Sequence, residues 1–191
     1  MDMNLTGKIL IAMPALEEPT FAHSVIFLCA HSRDGAMGLI VNKPMAGMSF
    51  IELADRIDLS KTPSRVAEKL MQMPVLTGGP VEQQRGFVLH STEYPGGDGS
   101  LKVNEHFALT ATTNILTDMA RGHGPVRCLL ALGYAGWSPG QLESEILHNG
   151  WLHGDATPEL VFSEGHDAKY HTAMKLLGID PRMLSASAGH A

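Results

Sequence analysis

Apolar positions come in short runs broken by glycine, proline and charge, and most of these runs have the length of strands. Residues 8–13 read as a first strand, stopped by Pro14. Residues 23–31 read as a second, rich in β-branched and aromatic side chains. Asp34-Gly35 supplies a hairpin turn, and residues 37–42 return as its partner. The chain therefore opens with antiparallel pairing. Ser49 with Glu52 is a capping box that starts a helix to about Ile57. A weaker helical pattern covers residues 64–72. Short strands follow at residues 75–77, ending in Gly78-Gly79-Pro80, and at residues 86–90. A turn-rich loop at residues 94–99 precedes two short edge strands, residues 101–103 and 106–110.

The second half is punctuated in the same way. Residues 113–121 are helical, closed by Gly122. Residues 126–133 form a central buried strand leading into a glycine-rich turn, Gly133 to Gly140. Ser138 with Gln141 is a second capping box, Pro139 sitting at the first helical position. That helix runs to about Asn149 and closes at Gly150. Residues 151–153 and 160–162 are late strands, and residues 166–177 a last helix closed by Gly178. These elements predict an α+β, mixed α/β domain with a mixed sheet, spanning residues 1–184, and a flexible tail at 185–191.

At 191 residues the chain fits one domain with a sizeable core. A net charge of -6, with only 14 scattered basic residues, argues against direct nucleic-acid binding. No run approaches the ~20 apolar residues of a membrane span, and the start is not a signal peptide. Cys29 and Cys128 each lie in a strand-like run and read as buried free thiols, which fits a reduced, cytoplasmic setting.

Candidate chemistry is sparse. Gly136-Trp137-Ser138-Pro139-Gly140 matches the G-x-S-x-G of a hydrolase nucleophile elbow. Pro139 has no N–H to donate to an oxyanion, and Ser138 has a better use as a helix cap, so no catalytic serine is assigned. The pairs His148/His153 and His166/His171 are spaced i, i+5, unlike the i, i+4 of helical metal ligands, so neither a metal site nor a cofactor is assigned. Glu145, Asp155 and His153 are the remaining acid/base candidates. Gln141 and Glu145, one helical turn apart, can point together near the glycine-rich turn.

Taken together, several segments resemble the YqgE/AlgH family. They are Gly7 to Pro14, Phe21 with Ser24-Val25-Ile26, Gly35 to Pro44, Gly78 to Val81, Gly86 to His90, and Leu132 to Trp137 with Gly140 to Glu143. Their order and spacing extend from about Leu5 to Gly178. The resemblance implies one domain with an irregular, partly barrel-like sheet flanked by helices. It also implies a role as a transcriptional regulator, without implying a mechanism. Tyr170 departs from the tryptophan expected there in many relatives, a change that keeps a packing role.

The matching motifs fall at strand ends and turns. If these converge on one rim, Asn42, Lys43, Gly78, Gly79, Tyr134, Gly136, Trp137 and Gln141 would line a pocket for a small polar or anionic ligand. The function expected is that of a regulatory protein acting indirectly through such a ligand or a protein partner. The alternative is an enzyme, a hydrolase or transferase on a small anionic substrate. A purely structural module, its glycines serving only packing, is the third reading.

Overall fold

The computed structural model describes residues 3–57, 59 and 68–185. Among the described residues ten strands share one sheet. In chain order they are β1 (Lys8–Ala12), β2 (Val25–Ser32), β3 (Gly35–Ile40), β4 (Pro44–Ser49), β5 (Pro74–Thr77), β6 (Val81–His90), β7 (Ser100–Lys102), β8 (Ala108–Thr110), β9 (Cys128–Trp137) and β10 (Trp151–Asp155). The helices are α1 (Phe50–Arg56), α2 (Glu68–Met71), α3 (Asn114–Ala120), α4 (Gln141–Leu147), α5 (Pro158–Val161), α6 (Lys169–Leu176) and α7 (Pro181–Ser185), with a 3-10 turn at His166–Ala168. The mixed α/β class and the curled, half-barrel sheet of a single domain agree with the expectation. Residues 60–67, which hold part of the expected 64–72 helix, and the expected tail from 186 lie outside the described residues.

The main path of the sheet runs β10-β1-β2-β3-β9-β6-β8-β7. Every pairing on it is antiparallel, whereas β5 joins β9 in parallel. The centre is β9, which changes partner along its length. Leu130 to Leu132 pair with β5, and Ala135 to Trp137 pair with β3. Gly133, at φ +75°, lies between the two segments and bends the strand. Opposite this bend β6 carries a bulge. Val81 pairs with Tyr134 and Gly86 with Leu132, so the four residues from Glu82 to Arg85 stand opposite Gly133 alone.

Alternation along the strands sorts side chains into three cores. One gathers Ile9, Phe27, Phe87 and Phe107 under α5 and α6. A second joins Leu10, Ile26, Trp137 and Trp151 to α4 through Leu142. A third places Phe50, Val75, Ile115 and Met119 against the other face.

Four local expectations change. The glycine-rich stretch Gly133 to Trp137 is not a turn, because β9 continues through it and pairs with β3. The reversal comes at Ser138 to Gly140, where Gly140, at φ +75°, is the helix cap. Only the return half of the second box forms, Gln141 Oε1 accepting from the Ser138 amide at 3.0 Å. That helix ends at Leu147, and Asn149 at φ +57° is the left-handed residue after it, in place of Gly150. Residues 160–162 are not a strand. Thr157 accepts the Leu160 amide, Pro158 opens α5, and the segment is helical. By contrast the capping box at Ser49 and Glu52 is complete.

Candidate functional site

The bend at Gly133 and the bulge facing it open a groove of about 760 Å3 on the sheet surface. Met37, Arg85, Phe87, Leu109, Tyr134 and Trp137 help to line it, together with Gly136. Phe87 and Tyr134 meet edge to face at 5.9 Å. The Arg85 guanidinium lies 5.1 Å from the centre of the Phe87 ring. It also meets Glu82 at 3.3 Å, and both of those side chains are half exposed. The bulge therefore aims a permanent cation over an aromatic wall.

Of the eight residues expected to share a pocket, Tyr134, Gly136 and Trp137 line this groove. The other five do not line it. Asn42 accepts the Val25 amide and donates to the His23 carbonyl, both at 2.9 Å. Lys43 donates to the Thr20 carbonyl at 2.9 Å, and its own carbonyl accepts the Thr77 amide. Partial burial pulls the Lys43 ammonium below the usual lysine value, with Glu18 opposing. The Gly78 amide is bound to the Leu132 carbonyl. A Cβ at Gly79 would run into the Tyr134 carbonyl. These glycines let two backbones touch where β9 changes partner. Gln141 lies beyond the C-terminal end of β9, accepting the Ser138 amide at 3.0 Å and donating to Glu145 at 2.9 Å.

Two carboxylates anchor α4. Glu145 accepts the indole N–H of Trp137 at 2.9 Å and of Trp151 at 2.8 Å, on one oxygen. Glu143 accepts from His31 Nε2 at 2.8 Å. His31 Nδ1 accepts the Leu5 amide, so the ring proton sits on Nε2. Glu143 is held below the usual carboxylate range, first by its own backbone amide and then by His31. The acid/base candidates lie in different contacts. Glu145 faces these indoles, Asp155 pairs with Lys8 at 2.5 Å, and His153 stands opposite Leu10 in the sheet. Among the described residues no group of three His, Cys, Asp or Glu is placed to hold a metal ion. Nor is any described helix long and apolar enough to cross a membrane. Cys29 and Cys128 are free, and burial pushes both thiols up to about 12.

Two residues of consequence were not singled out in the sequence. Arg85 stands in a polar stretch, Glu82 to Arg85, just before an apolar strand, which is a bulge signal in hindsight. Lys169 falls on the same helical face as Ala173, among Tyr170 and Met174, a position where a lysine is buried. It is 1% exposed and donates to the carbonyls of Val41 and Val161, each at 2.7 Å, and to His166 Nδ1 at 3.2 Å.

Residues 9–182 match the family model described as AlgH-like. A UPF0301 protein of Jannaschia sp. (strain CCS1) is 55% identical over 189 residues, covering 98% of this chain and 96% of its own. One from Ruegeria pomeroyi is also 55% identical, covering 99% of this chain and all of its own. Among solved structures, the AlgH protein from Pseudomonas aeruginosa superposes with a TM-score of 0.75 at 36% identity, over 100% of this chain and 98% of that one. A Corynebacterium diphtheriae protein also reaches 0.75, at 21% identity over 96% and 93% of the two chains, a likeness of fold.

Proposed function

The chain belongs to the AlgH-like family, and we propose that it is a regulatory binding protein taking a small anionic ligand in the groove beside Arg85. The observation that carries this reading is the juxtaposition of one guanidinium with Phe87, Tyr134 and Trp137 in a single open groove. A planar cation with an aromatic floor suits an aromatic or apolar body ending in phosphate or carboxylate. An effect on transcription would then pass through the ligand or a protein partner, in keeping with the net charge of -6. Binding is favoured over hydrolysis or group transfer because Glu145, Asp155 and His153 are engaged in separate contacts.

Phenyl phosphate is a suitable probe, and Trp137 supplies an intrinsic fluorescence signal at the groove. Saturable quenching is expected, weakened about tenfold by Arg85→Ala and less by Arg85→Lys. A wild-type protein that gives no saturable response to phenyl phosphate would count against the reading. So would tight, sequence-specific DNA binding by the purified protein at physiological salt.

A further inference from the structure

A second groove, of about 910 Å3, shares no lining residue with the first. Met73, Met119, Val126 and Phe162 give it apolar walls, and His166 lies in its lining. Two ion pairs accompany it. Lys69 meets Glu164 at 2.7 Å, and Arg127 meets Glu159 at 3.5 Å. All four of these side chains line the groove, and their charges cancel in pairs.

One charge remains. Behind His166 lies the Lys169 ammonium, whose partners are two backbone carbonyls and the His166 ring, with no carboxylate among them. An ammonium can only donate, so His166 Nδ1 accepts and the ring proton sits on Nε2, the atom away from Lys169. A buried cation without a counter-ion is costly, and an anion in reach lowers that cost. The Val41 carbonyl, Asp167 on the exposed side of the same turn, and Glu164 also act on His166. Glu164 is already taken by Lys69. A donor backed by an unbalanced charge at one point of an apolar groove is complementary to an anion with an apolar body.

We propose that this groove binds an amphipathic monoanion, an apolar chain ending in a carboxylate. The acid group is received on His166 Nε2, and the Lys169 charge behind it supplies the balance. A single donor fits a monoanion, where a phosphate dianion asks for several.

The test titrates the 15N-labelled full chain at pH 6, where Lys169 keeps its proton, with octanoate, octanol and acetate. Octanoate should shift the amides of Gly122, Gly124 and Val126, leave Gly99 and Gly136 of the first groove unmoved, and bind about tenfold tighter than octanol. Acetate, lacking the chain, should not saturate. His166→Gln keeps a donor near the Nε2 position and should retain the preference, whereas His166→Phe should erase it, octanoate then binding no tighter than octanol. Equal affinity for octanoate and octanol in the wild-type chain would overturn the proposal, whether or not the variants fold. Octanoate shifts confined to the first groove would overturn it too, as would a His166→Phe protein with its preference intact. Phenyl phosphate binding beside Arg85 is read separately, so either proposal can fail alone.

Discussion

Gly79 and Gly140 both lie in the conformational region that favours glycine, at φ +157° and +75°, yet their surroundings differ. A Cβ at Gly79 would enter the Tyr134 carbonyl, and backbone cannot yield as a side-chain tip can. At Gly140 nothing lies within 4 Å of such a Cβ. Gly79→Ala should therefore cost about 3 kcal/mol or more, strain and overlap together. Gly140→Ala should cost about 1 kcal/mol, from the backbone alone. Urea unfolding of the two variants measures the difference, and equal midpoints would refute the close approach of Gly79 to β9. The same pair shows how much of the site was legible in the sequence. Glycine clusters marked Gly78-Gly79 and Gly133 as special positions. They did not reveal whether each glycine serves a positive φ, a ligand or another backbone, since that depends on a strand more than fifty residues away. Tyr134, Gly136 and Trp137 were singled out as parts of a glycine-rich turn, whereas they line the groove as part of strand β9. Arg85 was not, because its importance comes from a bulge set by the register of β6 on β9.

At the scale of the element, α4 shows how little of a short helix's stability is its own. With seven residues it is too short to persist alone. It is held by buried Leu142 and by the two carboxylates that reach the sheet, Glu143 to His31 and Glu145 to both tryptophans. Glu145→Ala leaves two part-buried indole N–H groups without an acceptor and should cost about 2–3 kcal/mol. Glu145→Gln keeps one oxygen for the indoles and loses only the Gln141 contact, at about 1 kcal/mol. Denaturant midpoints rank the variants, and an alanine variant as stable as the glutamine one would refute the anchor. Elements with strong local signals, such as β2 or the boxed α1, were legible from pattern alone. Where the pattern was ambiguous, local capping decided. Leu160 to Phe162 is an apolar triplet of strand character, but Thr157 and Pro158 upstream commit it to a helix. Strand β4 was not legible, since Pro44 to Met48 has no β-branched residue and pairs with β5 only at its ends, Pro44 and Ser49.

At the scale of the molecule, the buried titratable groups set a stability profile displaced toward alkaline pH. Lys169 is lowered by burial from 10.5 to about 7, while in the unfolded chain it keeps its proton to about pH 10.4. Between those values the unfolded state holds more protons, so stability rises with pH there, at up to about 1.4 kcal/mol per unit. Below pH 7 both states are protonated and this contribution is flat. Burial also lowers His90 and His166 beneath 6.5. For these two the unfolded state again binds the extra proton, and stability falls as pH drops through 6.5 and below. On the alkaline side the signs reverse. Cys29, Cys128 and Tyr94 are pushed up to about 12, so the folded state keeps protons that the unfolded chain releases from about pH 8.5 upward. Urea unfolding should therefore show stability climbing from pH 5 to a maximum near pH 8.5, then declining. Lys169→Met removes the group whose folded-state value of about 7 drives the rise from pH 7 to 8.5. Its absolute stability also carries the loss of donors to Val41 and Val161. The slope does not, because those carbonyls do not titrate. The wild-type rise across that window, about 1 kcal/mol once the opposing contribution of the two cysteines is included, should be lost in the variant, and a variant that keeps the full rise would show that Lys169 is not its source.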